Sequence, residues 1–168
     1  YESCDRLASE KNLDFNFLSI RYNQDIASAV KHASYTANGI ILMIPSLNVD
    51  SYKAIRSSLP DFPIVNMAAS EDILFPTVTH DSYHGGSLAA QCLMESGFTS
   101  FGIINGPIIK LEANLRRSGF VDKLRKNGHE IKWEYSGNYS FEAGEKACFD
   151  FVQNGIEKIG IFSANDQM

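Results

Sequence analysis

The sequence predicts an α/β protein of the doubly wound type, with parallel strands covered by helices on both faces. Three observations carry this. Short apolar runs alternate with amphipathic helical patterns along the chain. The runs are too continuously apolar for strands with one wet face, which is the mark of parallel strands joined by crossover helices. A chain of 168 residues, 44% hydrophobic and 21% charged, also has enough apolar material for a real core and few disordered stretches.

The elements follow in order. Tyr1, Cys4, Leu7 and Ala8 recur at helical spacing and stop near Asn12, after which Phe15, Phe17, Leu18 and Ile20 read as a buried strand. Asn23 is a candidate N-cap for a helix with Ile26, Ala29, Val30 and Ala33 inside, and Asn38-Gly39 ends it before a strand from Ile40 to Ile44. A short helix from Tyr52 to Ser57, a strand Ile64 to Met67 launched from Pro63, and a brief strand at Thr77-Val78 come next. Ser82 to Ser96 is expected as a helix with Leu88, Ala89, Cys92 and Leu93 inside, closed by Gly97 and followed by the strand Phe101 to Ile104. Asn105-Gly106-Pro107 forces a turn. A helix from Leu111 to Lys126, a strand Ile131 to Tyr135, a helix Phe141 to Gln153 and a strand Ile159 to Phe162 continue the alternation. Opening on a helix is unusual for this architecture, so a first strand is expected upstream of Tyr1.

In such sheets ligands bind outside the carboxyl ends of the strands, which directs attention to four places that follow strands: Asp81, the turn at Asn105, Tyr139, and Asn165-Asp166. Fifteen Lys and Arg against twenty Asp and Glu give a net charge of -5, and there is no basic run to neutralise phosphates, so this segment is not expected to hold DNA itself. Cys4, Cys92 and Cys148 are far apart and odd in number, the usage of reduced thiols filling a core, which favours a cytoplasmic location. The longest apolar stretch, Gly39 to Pro45, is too short to span a membrane, and nothing at Tyr1 resembles a signal peptide.

The usual catalytic cradles are missing. No G-x-G-x-x-G follows the early strands, no G-x-x-x-x-G-K-[ST] occurs, and no G-x-S-x-G elbow is present. His80 and His84, four apart around Asp81, would suit a metal on one helix face. The simpler reading has His80 end a strand, Asp81 cap the helix and His84 face solvent, with no ion needed. Asn138-Tyr139-Ser140 matches a glycosylation sequon, a three-residue pattern common by chance.

A cumulative pattern remains. Val78 and Asp81 are followed by Gly85, by a helix ending in Gly97, and by an apolar strand running into Asn105-Gly106-Pro107. Then come Leu115-Arg116-Arg117-Ser118-Gly119-Phe120 with Leu124 and Gly128, next Gly137-Asn138-Tyr139-Ser140 before a helix, and last Ser163-Ala164-Asn165-Asp166-Gln167-Met168. In this order and spacing the chain resembles the LacI/GalR transcription regulators and their relatives, the type I periplasmic sugar-binding proteins, over essentially its whole length. The closing Ala164 to Met168 looks particularly like the repressor branch.

The resemblance implies a two-lobed module: an amino-terminal lobe over 1–106 without its first strand, and part of a carboxy-terminal lobe over 107–168, with the ligand between them. It implies a small-molecule effector, often a sugar and sometimes a purine or nucleoside, no cofactor and no metal. It also implies a homodimer, no membrane, and operator DNA read by an amino-terminal helix-turn-helix domain that this chain lacks.

Carried over position by position, the resemblance makes Arg116 a cleft arginine whose fixed fork grips paired hydroxyls or a carboxylate; the alternative pairs it with Glu112 on the helix surface. Arg117 is the better surface partner. Asp81 would accept from a hydroxyl, or serve only as a helix cap. Tyr139 would stack on a sugar face or a base, or pack in the core. Asn165 offers donor and acceptor, Asp166 accepts, and either is also suited to capping a following helix. A further cleft acid that the family commonly supplies lies beyond Met168, so the effector is not legible here.

The function expected is therefore allosteric: effector closes the cleft, the amino-terminal lobes of a dimer shift, and operator affinity changes, with no covalent chemistry. An exported sugar-binding protein or extracytoplasmic sensor of the same fold is the alternative. An α/β enzyme lacks a catalytic pair, phosphate loop or metal set.

Overall fold

The computed structural model describes residues 2–21, 24–44, 47–70, 73–155 and 158–168. Capping chemistry explains where its helices begin. Asp25 accepts from the Ala27 amide to start α2 (Ile26–Ala33), Asn48 from Ser51 to start α3 (Val49–Ser58), Asp81 from His84 to start α4 (Ser82–Glu95), and Ser140 from Ala143 to start α6 (Phe141–Gln153). Each supplies an oxygen to a first-turn amide that has no partner within the helix. Before these comes α1 (Glu2–Glu10), and α5 (Leu111–Lys126) begins without a side-chain cap.

Glycine ends two of the helices. After α4, Gly97 at φ +86° donates to Met94 O and Phe98 to Leu93 O. After α5, Gly128 at φ +77° donates to Arg125 O and His129 to Leu124 O. Both are Schellman closures, in which a left-handed residue satisfies the last carbonyls.

The residues fall into two compact units: Tyr1–Ile40 with Asn48–Pro63, and Ile41–Leu47 with Ile64–Met168. In the first, α2 and α3 contribute Ala29, Val30, Tyr52 and Ile55 to the buried interior. Strands β1 (Ile40–Leu42) and β2 (Ile64–Asn66) form a two-stranded sheet, and Thr77 makes a single parallel bridge to Asn66.

The second unit is built on a parallel sheet in the order β4-β3-β5, with β3 (Phe101–Asn105) between β4 (Ile131–Ser136) and β5 (Gly160–Ser163). Every residue of β3 is buried, as a strand covered on both faces requires. On one face Phe101 and Ile103 pack with Ala90 of α4 and Phe120 and Leu124 of α5; on the other Ile104 packs with Trp133 and with Ala147 of α6. The α/β architecture with parallel strands agrees with the expectation.

Helices α4 and α5 approach very closely. A Cβ on Gly86 would lie 1.9 Å from Arg116 O, and one on Gly119 1.9 Å from Tyr83 O. Each glycine thus admits the other helix's backbone, and Tyr83 Oη donates to Asp122 at the outer edge of the contact.

Several expectations differ from what forms. Residues 13–20 take part in no strand, and Leu13, Phe17 and Leu18 are exposed. Apolar, β-prone residues make a strand only where a paired edge receives them. The cap expected at Asn23 lies outside the described residues, and Asp25 does that work. The inner face of α4 is met in part: Ala89 and Leu93 pack against the core, but Leu88 and Cys92 are exposed, and the buried positions are Ser82, Gly86 and Ala90. The thiols do not fill a core, since Cys92 and Cys148 are exposed and Cys4 is half-buried. Strand β3, before Gly106, is hydrogen-bonded to both β4 and β5, which follow it.

Candidate functional site

Parallel strands all deliver their carboxyl ends to one edge. In the second unit this edge is formed by the loops after β3, β4 and β5, joined by His80-Asp81 ahead of α4 and by the first turns of α5.

Arg116 occupies the centre of this edge. It lies on α5, and its Nη1 donates to Ala164 O at 2.8 Å while its Nη2 stands 3.0 Å from His80 Nε2. Ala164 is itself fixed, being buried and donating its amide to Ile104 O in continuation of the β3–β5 ladder. A guanidinium only donates, so this contact is a hydrogen bond when His80 Nε2 is the accepting nitrogen. The expected alternative, a surface pair of Arg116 with Glu112, does not form: Glu112 accepts from the Ala69 amide at 3.3 Å. Arg117 is the surface partner, binding Glu134 through Nε at 2.7 Å and Nη2 at 2.9 Å. Hydrogen bonding from Arg117, helped by Asn105 Nδ2 at 2.6 Å, holds the Glu134 carboxyl below its ordinary range.

Tyr139 follows β4 in a left-handed conformation, φ +73°. Its ring lies against Gly106, where an added Cβ would push the ring aside. Burial raises the phenol's pKa, with Arg116 working against this and Glu112 with it. The phenol remains protonated at neutral pH and is available as a neutral donor.

Asn165 ties two loops together. Its Nδ2 donates to Tyr139 O at 3.1 Å, and its Oδ1 accepts from the Met168 amide at 3.1 Å. Asp166 beside it is exposed. Asp81 is also exposed, and its carboxylate accepts from the His84 amide at 2.8 Å, the capping role weighed for it. Arg116, Tyr139 and Asn165 are thus linked through Ala164-Asn165 and the Tyr139 carbonyl, while Asp81 and Asp166 sit one residue from members of that network.

Sequence reasoning weighed His80 as the end of a strand or as half of a metal pair with His84, not as a partner of Arg116, and passed over the Ala164 carbonyl. A backbone acceptor leaves no sequence signal, and His80 is too distant in sequence from Arg116 for any local pattern to join them. Among the described residues no group of His, Cys, Asp and Glu is placed to hold a metal, His80 and His84 included. No described helix is long and apolar enough to cross a membrane.

Comparison with known proteins bears on the family and the fold. The chain is 28% identical over 134 residues to the ribose operon repressor of Escherichia coli K12, a match covering 78% of this chain and 40% of that protein. The chain therefore spans about two fifths of the length of that relative. Its fold matches the dimeric Lac repressor with TM-score 0.82 at 19% identity, covering 99% of this chain and 62% of that one. It also matches a periplasmic solute-binding protein of an ABC transporter from Actinobacillus succinogenes with bound D-allose, TM-score 0.79 at 18% identity, covering 99% and 63%. The family model described as periplasmic binding proteins and sugar binding domain of LacI family matches residues 2–167, and the chain belongs to that family.

Proposed function

We propose that the chain is the effector-sensing domain of a LacI/GalR-type transcriptional regulator, and that it binds a small polar molecule, a sugar or nucleoside-like compound, at the edge centred on Arg116. The observation that carries this is the clamping of the Arg116 guanidinium between Ala164 O and His80, with Asn165 next to Ala164 tying in the Tyr139 loop. A half-buried arginine held by two acceptors and with donors left over is suited to paired hydroxyls, and an aromatic ring is suited to the apolar face of a sugar or base. Asp81 and Asp166 would supply exposed acceptors; Asn165, already bonded on both ends of its amide, would shape the site and offer its remaining N–H.

No covalent step is involved. Effector binding shifts the balance between two arrangements of a homodimer, and operator affinity changes in a DNA-binding domain carried elsewhere in the protein; couplings of this kind are about 1–3 kcal/mol. The net charge of -5 supports a separate DNA-binding part. The relatives that are repressors favour this reading, and the likeness to a D-allose-bound solute-binding protein favours the second, an exported binding protein of the same fold.

Calorimetric titration with D-ribose, D-allose and a purine nucleoside tests the binding. One of them is expected to bind, and Arg116→Ala is expected to weaken it by at least tenfold in a protein with unchanged circular dichroism. Undiminished affinity in that variant would remove Arg116 from the site. The segment preceding Tyr1 in the natural protein separates the two readings: a helix-turn-helix pattern supports the regulator and a cleaved signal sequence the exported protein.

A further inference from the structure

The contact between His80 and Arg116 is unusual in its chemistry. Both residues can be cations, yet Nη2 and Nε2 stand 3.0 Å apart, which is attractive only if the imidazole is neutral and carries its proton on Nδ1. The two side chains come from different elements: His80 from the segment ahead of α4, Arg116 from the second turn of α5. That spacing is set by backbone, because Gly86 of α4 leaves no room for a Cβ beside Arg116 O and Gly119 none beside Tyr83 O. The approach of the helices thus fixes where Arg116 begins, and the two acceptors, Ala164 O and His80 Nε2, fix where its guanidinium ends.

We propose that His80 is a positioning residue for Arg116: its neutral, Nδ1-protonated ring accepts from Nη2 and orients the guanidinium toward the effector. Of the five N–H donors of a guanidinium, one goes to Ala164 O and one to His80, so about three remain for a ligand. Without the imidazole acceptor Nη2 is free to swing about the remaining bond to Ala164 O, and the donors no longer present a fixed fork. The ring acts through Arg116 and need not touch the effector. The binding consequence rests on the effector reading above; the state of the ring does not.

The test therefore has a part that needs no effector. In the isotopically labelled 168-residue chain, nitrogen NMR of the imidazoles at neutral pH is expected to show His80 as the Nδ1-protonated tautomer in the wild type. In Arg116→Gln it is expected to return to the mixture of an unconstrained histidine. An Nε2-protonated ring in the wild type, or the same mixture in both proteins, would overturn the proposal. For binding, D-ribose is the probe: His80→Phe, a ring of similar size without the acceptor, is expected to lose about tenfold in affinity, while His80→Gln, whose amide oxygen can accept, retains most of it. Equal loss in both variants, with the NMR result as expected, would mean that the ring does more than accept from Arg116, and the positioning role would fall. If D-ribose does not bind the wild type, that is a failure of the sugar-binding reading, and the tautomer still decides the role of His80.

Discussion

Asp81 shows how one residue can satisfy two readings at once. Its carboxylate caps α4 through the His84 amide, which accounts for its presence with no ligand at all. Replacement by alanine is expected to cost about 1 kcal/mol in a urea melt, and Asp81→Ser should recover most of it because a hydroxyl caps nearly as well. If the acid also serves the effector, Asp81→Ser restores stability and leaves binding impaired; recovery of both would make Asp81 a cap alone. Glu134 gives a pH prediction of the same scale. Its folded pKa is lowered from 4.5 by Arg117 and Asn105, so its contribution is fully present above that value and is lost as the pH falls through the lower folded one. The pair is about 40% exposed, 43% for Arg117 and 38% for Glu134, which limits it to roughly 0.5–1 kcal/mol. In Arg117→Ala, chemical melts at pH 7 and pH 3 should differ by less than in the wild type; an unchanged difference would show that other carboxylates account for the acid loss.

At the level of elements, the packing of α4 on α5 decides most. Gly86 and Gly119 each meet a backbone carbonyl of the partner helix at a distance no Cβ can occupy. Gly86→Ala in an open helix would be mildly favourable, since alanine is the better helix former. Here the steric demand wins: the helices must separate, at a cost of about 1–3 kcal/mol or more. Because Arg116 O is the atom displaced, the same substitution should weaken effector binding more than Gly85→Ala, a neighbouring position where a Cβ meets nothing within 4 Å. A melt and a titration on the two variants would show this, and equal behaviour of Gly85→Ala and Gly86→Ala would refute it. Sequence periodicity placed Ala89 and Leu93 against the core but also counted Leu88 and Cys92 as inward by their apolarity. Backbone contact through glycine carries no hydrophobic signal, so the true contact face was invisible to that reading.

At the scale of the molecule, the two units should be separable in unfolding. Trp133, the sole tryptophan, lies in the second unit, 6% exposed, with its Nε1 donating to Asp150 at 2.8 Å. Its fluorescence therefore reports that unit, while circular dichroism reports both. Phe120, fully buried against the sheet and stacked on Phe162, is the side chain whose loss should be felt most. Phe120→Ala is expected to lower the fluorescence transition by about 3–5 kcal/mol. The portion of the dichroism signal that does not follow Trp133 should change little, and a shift of the whole signal together would mean that the two units unfold as one. A bound effector should raise the fluorescence transition as its concentration rises, by about 2.7 kcal/mol at a hundred times its dissociation constant.

Much of this protein was legible in residue order alone. Element identity from α2 onward follows from periodicity and from punctuation that acts locally: Asp81 as a cap, Gly97 as a helix end, and the apolar run 101–104 as a strand buried on both faces. These are short-range effects, set by neighbours within four or five residues, and so they are written in the sequence. That Asn105, Tyr139 and Asn165 lie at or after strand ends was likewise legible, because parallel topology sends every loop of one kind to one edge. What only tertiary structure decided is which of them meet. The failure of residues 13–20 to form a strand, the contact of His80 with Arg116 across 36 positions, the Ala164 carbonyl as a partner, and the glycine-to-carbonyl fit of α4 and α5 all depend on groups distant in sequence. Their partners are chosen by packing, and packing is a property of the folded chain.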